Sequence, residues 1–300
     1  MAERPAYAAH ERLVAPARPH GTLGRLIAGV VLAVVVAYGL NAALQMVLVT
    51  FAPDFWMTQI VGAERQGATA PAMYVLLFSF AFIIVGVMVA ARVVHRRVPL
   101  GVIGPPGLPL RQFWRVLRLL VGIGLLVLLL PPYNMGGDLV PNMAMGRWLL
   151  LLPLSLLAVF IQVTAEEILF RGYLQQSLAA RFSHPLIWAG LPSALFAAGH
   201  YMPAQAGENA WIVVAWAGLF GLLAADLTAR AGTLGPAIAL HFVNNATSLL
   251  IVSVPDSLNG LALFTAPFAM SDTDALRAWL PVDFAAMGVG WLAARVVLRR

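Results

Sequence analysis

Cysteine is absent from these 300 residues, and so is lysine. Without cysteine there is no disulfide, no thiolate nucleophile and no Cys-ligated metal. Charge of either sign is scarce. Charged residues make up 11% of the chain, whereas a soluble domain carries about 25%. What fills the gap is apolar: 61% of residues are hydrophobic and the mean hydropathy is +0.84. This excludes a water-soluble globule and indicates an integral membrane protein whose core is helix packed on helix.

All 19 basic residues are arginines, the net charge is +6 and the pI is near 10.5. A basic chain suggests nucleic acid, but these arginines lie in short flanks between apolar runs, as the positive-inside rule describes. No nucleic-acid partner is expected. The sequence has no Gly-x-Ser-x-Gly, no His-Glu-x-x-His and no phosphate-binding glycine loop. The first long apolar run, 26–49, exceeds the h-region of a signal peptide and has no small-x-small cleavage site after it, so no cleavable signal peptide is expected.

About 20 apolar residues cross a bilayer core of about 30 Å. Runs of that kind place spans near 26–50, 72–94, 113–131, 148–170, 185–202, 210–229, 234–254 and 281–298. The predicted fold is all-α: a polytopic bundle of about eight transmembrane helices around a central polar cavity, forming one domain over 26–300. Residues 1–25, with four arginines and several prolines, read as a flexible cytoplasmic tail. Arginines concentrate on the N-terminal side of this arrangement, which puts both termini in the cytoplasm and the protein in a cell's inner (plasma) membrane. The loop from Pro99 to Arg118 reads as too Pro/Gly-rich to be helical and leads into an amphipathic, arginine-bearing helix start at the interface.

Three clusters of polar residues interrupt the apolar runs. Glu166, Glu167 and Arg171 follow the run 148–163. Charge at membrane depth costs at least about 3 kcal/mol per group on insertion scales and usually marks function. Residues four apart share a helix face, so Glu167 pairs with Arg171, while Glu166 is rotated about 100° away and is free to face a cavity. The bland alternative is a pair of ordinary interfacial charges. His200 ends the next run, one turn after Phe196. Alone it reads as a helix-end histidine. His241 and Asn245, also four apart, project from one face of an apolar segment, where a polar face must meet protein or water. Interhelical bonding without catalysis accounts for that pair equally well. Together, three successive elements offer the groups that activate water.

The geometry carries a condition. His200 reaches Glu166 only if the helix bearing Glu166 runs on past Arg171 to about residue 180. Elsewhere, Asp226 and Arg230 read as an interfacial pair, His95 and His184 as solvated flanks, and Gly136-Gly137-Asp138 as a turn.

Glu166-Glu167-x-x-x-Arg171, then Phe196-x-x-x-His200, then His241-x-x-x-Asn245, in that order on successive segments, resemble the motif set of the CPBP family. This family holds the CAAX prenyl endopeptidases and the bacterial Abi-type intramembrane proteases. The resemblance covers a core of about 148–254. It implies hydrolysis of a peptide bond in a membrane-associated or prenylated-type peptide or protein substrate, within the lipid bilayer. Carried over by position, Glu166 is the base that activates water and His200 binds or orients that water. His241 and Asn245 stabilise the oxyanion, and Glu167, Arg171 and Phe196 support them. Glu166, His200 and His241 also suit a zinc ion with an open fourth position, and a metal-free glutamate mechanism fits the same residues, so the cofactor is zinc or none. The residues alone also fit a transporter using the buried Glu and His as a proton relay, or a scaffold for a partner's helix, although no repeated halves of the transporter kind are seen.

Overall fold

The computed structural model describes residues 6–62, 65–129 and 138–299. Helix dominates them, and the only strands among them are three two-residue pieces. Eight helical segments follow the eight apolar runs. They are α1 (Leu23–Phe51), α2 (Ala70–Val93), α3 (Leu108–Leu128), α4 (Met145–Ala179), α5 (Leu186–Ala198), α6 (Ala210–Ala231), α7 (Gly235–Ala246, continued by Thr247–Ile251) and α8 (Thr273–Leu298). Five are long and apolar enough to cross a membrane: α1, α2, α4, α6 with its preceding turns, and α8. The other three are shorter or carry charge: α5 runs only from Leu186 to Ala198, and α3 bears arginines on its first turns.

Local chemistry sets the helix ends. The Thr22 hydroxyl accepts from the Arg25 amide at the start of α1, and the Asp272 carboxylate accepts from the Ala275 amide at the start of α8. Helix α6 ends on Gly232 at φ +68°, a left-handed position where a Cβ would also meet the Ala9 carbonyl oxygen at 2.3 Å. Close packing of α1 on α2 depends on Gly86, where a Cβ would stand 2.4 Å from the Ala33 carbonyl oxygen. The strands β1 (Val140–Pro141), β2 (Val252–Ser253) and β3 (Phe264–Thr265) form a small sheet in the order β1-β3-β2, antiparallel then parallel.

Helix α4 carries the site, and its neighbours surround it. Helix α7 packs on α3, α4 and α6, α5 packs on α6, and α2 packs on α4. Helix α4 runs unbroken past Arg171 to Ala179, meeting the condition set by the spacing of the polar motifs. Directly after Glu167 it widens into a π-helical stretch, Ile168–Gln175. Such widening recurs at functional sites.

Several expectations are corrected. Residues 6–20 do not form a flexible tail. They make three short helical turns whose Leu13, Val14 and Ala17 are buried, with Tyr7 donating to Asp226 at 2.9 Å. The run had too few long apolar stretches to suggest burial, but spaced apolar residues suffice to dock short turns. His95 is not solvated: it is 1% exposed, with Nε2 2.7 Å from the Tyr173 hydroxyl. The segment after Gly107 is helical from Leu108, because Pro109 lies in the first turn, where its missing N–H costs nothing. Helix α8 begins at Thr273 and passes through Pro281. His184 is exposed as expected. Gly136 and Gly137 of the expected turn lie outside the described residues, as do the last two positions of the expected 113–131 span.

Candidate active site

Glu166 and Glu167 end the α-helical part of α4, and their rotation about the axis separates them. Glu167 and Arg171 are 0% and 1% exposed, and Arg171 Nη1 donates to Glu167 Oε1 at 2.9 Å. The same oxygen takes His241 Nδ1 at 2.8 Å. A carboxylate only accepts, so Nδ1 carries the hydrogen and the imidazole tautomer is fixed. Arg171 Nη2 donates to the Gly221 carbonyl on α6 at 3.1 Å. Three helices are thus tied together at one buried ion pair.

Glu166 is different. Its side chain is 14% exposed, and among the described residues it makes no hydrogen bond. His241 Nε2 lies 3.4 Å from its Oε2. That Oε2 is buried without a partner. Glu167 Oε2 is likewise buried without a hydrogen-bond partner, so what separates the two carboxylates is that Glu167 is bonded through Oε1 while Glu166 accepts through neither oxygen among the described residues, which leaves it available to a ligand, substrate or water.

Phe196, 2% exposed on α5, links the rest. The Arg171 guanidinium lies 4.8 Å from its ring centre, the His241 ring meets its edge at 5.9 Å, and the His200 ring lies 4.5 Å away. His200 Nδ1 is 2.8 Å from the Phe196 carbonyl, which fixes Nδ1 as the donor and leaves the lone pair on Nε2. Nε2 has no hydrogen-bond partner among the described residues.

Asn245 follows His241 by one turn of α7. Its Nδ2 donates to Gln162 Oε1 at 2.9 Å, and its Oδ1 accepts from Asn244 Nδ2 at 3.1 Å. Gln162 is buried on α4 one turn before Glu166. Sequence reading passed it over, although its signal was present: a lone amide in an apolar run, four residues before a carboxylate.

The structure therefore brings Glu166, Glu167, Arg171 and His241 into direct contact, with His200 joined through Phe196 and Asn245 through Gln162. Among the described residues, no group of three or more His, Asp or Glu side chains is arranged to hold a metal ion. Glu166 and His241 are neighbours, but His200 is not gathered with them, so the zinc donor set expected from the sequence does not fit this geometry.

Comparison with known proteins bears on the same stretch. Residues 147–247 match the family model described as type II CAAX prenyl endopeptidase Rce1-like. The uncharacterized protein YyaK of Bacillus subtilis (strain 168) is 28% identical over 119 residues, covering 38% of this chain and 38% of that protein. The chain thus spans well under half the length of the curated relative it matches. No solved structure matches it significantly.

Proposed function

We propose, on the match of residues 147–247 to the Rce1-like model of type II CAAX prenyl endopeptidases, that the protein is an intramembrane endopeptidase with Glu166 as its base. The observation that carries this reading is the contrast between the two glutamates. Glu167 is committed to Arg171 and His241, while Glu166 has a free carboxylate beside His241 and one turn from Gln162.

In this reading a water held by Glu166 gives it one proton and attacks the scissile carbonyl carbon. The new C–O bond makes a tetrahedral oxyanion. Asn245 donates to it with the amide hydrogen not used by Gln162, while His241, whose ring hydrogen is on Nδ1, lies beside Glu166. Such a donor contributes roughly 3–4 kcal/mol in comparable sites. Collapse breaks the C–N bond, and Glu166 passes its proton to the leaving amine. Glu167 and Arg171 hold His241 in place, and Phe196 supports Arg171, His200 and His241 from below.

The substrate class is a membrane-associated or prenylated-type peptide, reaching Glu166 at the meeting of α4, α5 and α7. The protein sits in a bacterial inner membrane with both termini cytoplasmic. The natural absence of cysteine makes single-cysteine labelling a direct test of that topology.

The deciding experiment is cleavage of a prenylated peptide by purified protein in liposomes. Glu166→Gln is expected to abolish it without lowering the melting temperature. Retained cleavage in that variant overturns the assignment. Full activity in preparations shown to lack zinc supports the metal-free route, whereas loss on chelation and return on adding zinc overturns it.

A further inference from the structure

Helix α3 has two unlike faces. Phe113, Val116 and Leu120 are buried, with the Phe113 ring 6.3 Å from Phe242 on α7. On the opposite side Arg111, Arg115 and Arg118 recur at i, i+4 and i+7 and so form one stripe. With Leu110 and Trp114, which are 61% and 49% exposed, they line an open groove of about 490 Å³. None of the three forms an ion pair among the described residues. The one side-chain bond there is internal, Arg118 Nε to the Trp114 carbonyl at 3.1 Å.

The stripe does not stop at Arg118. Leu125 and Leu129, seven and eleven residues on, continue it and are 58% and 79% exposed. At 1.5 Å per residue, Arg118 to Leu129 spans roughly 16 Å, about half the 30 Å hydrocarbon core, or one leaflet. Three unpaired arginines beside an exposed tryptophan, then an apolar track one leaflet long, match the outline of a phospholipid. The arginines meet the phosphate, the tryptophan sits at headgroup level, and the leucines meet an acyl chain.

We propose that this face of α3 is a binding site for an anionic phospholipid, its phosphodiester on Arg111, Arg115 and Arg118 and one acyl chain along Leu125 and Leu129. Opposite charge selects the anionic headgroup, and the leucine track selects a lipid over a soluble anion. The site is independent of whatever chemistry α4 and α7 perform.

The test is lipid retention by the full-length protein, read by native mass spectrometry after exchange into mixed phosphatidylglycerol and phosphatidylcholine. The protein is expected to keep phosphatidylglycerol preferentially. Each Arg→Gln change at 111, 115 or 118 is expected to weaken retention about fivefold, the equivalent of one surface arginine. Leu125→Ala with Leu129→Ala keeps the arginines and is expected to weaken retention too. Because all these side chains are exposed, the fold is expected to survive, which an unchanged melting temperature verifies. Equal retention of the two lipids, retention unaffected by the triple arginine change, or full displacement by millimolar inorganic phosphate would each overturn the proposal.

Discussion

Glu167 Oε1 accepts from Arg171 Nη1 at 2.9 Å and from His241 Nδ1 at 2.8 Å, so one carboxylate oxygen joins α4 to itself and to α7. All three side chains are under 5% exposed. Removing one member of such a group leaves a buried charge uncompensated, at a cost of about 3–5 kcal/mol, whereas replacing a whole pair by apolar residues is often near neutral. Glu167→Gln is therefore expected to lower the melting temperature and to impair cleavage. The double change Glu167→Met with Arg171→Met is expected to be more stable than Glu167→Gln, though still impaired, because His241 loses its orienting partner. Thermal unfolding in detergent distinguishes these outcomes. Equal destabilisation by single and double changes contradicts the ion-pair reading.

Gln162 is expected to act on catalysis through Asn245. Gln162→Leu removes the acceptor of the Asn245 amide at 2.9 Å and frees that amide to rotate. The expected result is a fall in kcat of tenfold or more, about 1.4 kcal/mol, with KM and melting temperature little changed. In an Asn245→Ala background, Gln162→Leu is expected to add nothing further. If Asn245→Ala is itself fully active, the oxyanion role fails. If Asn245→Ala is impaired but Gln162→Leu is not, only the positioning role fails.

Helix contact is expected to be sensitive at Gly86. An alanine there would put its Cβ 2.4 Å from the Ala33 carbonyl oxygen on α1, a backbone atom that cannot step aside. Overpacking of this kind costs about 1–3 kcal/mol. Gly86→Ala is expected to lower the melting temperature, while Gly122→Ala on α3, with nothing within 4 Å, is expected to leave it unchanged. Equal effects would mean that α1 and α2 do not pack as described.

Much of the bundle could be read in advance because apolar run length and helix periodicity are local properties. Each of the eight expected runs holds a helix, five of them long and apolar enough to cross a membrane, and the i,i+4 spacing of Glu167 and Arg171 correctly paired them. What could not be read depended on contacts between distant segments. Gln162 is an ordinary amide until Asn245 arrives from α7. His95 is an ordinary flank until Tyr173 and the His20 carbonyl enclose it. The zinc reading assumed that three donors on three helices converge, and sequence order carries no information on that convergence. The N-terminal turns were misjudged for the same reason: their burial depends on grooves built by α4, α5 and α6.

Docking of those turns is expected to depend on pH through His10. The side chain is 6% exposed, and burial pushes its pKa down from the usual imidazole value to about 4, with the nearby Glu11 carboxylate opposing weakly. Its ring lies 4.8 Å from Trp188, and its Nε2 stands 3.4 Å from Gln175 Nε2. An amide nitrogen donates, so the ring nitrogen must accept, which only neutral histidine does. The docked state therefore binds fewer protons than the undocked one. Docking is at full strength above pH 6.5 and weakens as pH falls toward 4, by up to about 1.4 kcal/mol per pH unit. Amide exchange over residues 9–17 is expected to quicken between pH 7 and pH 5 after correction for intrinsic rates. His10→Gln is expected to flatten that dependence while keeping the segment docked at pH 7. A protected, pH-independent segment in the unaltered protein, or an unchanged slope in His10→Gln, would show that another group governs the docking.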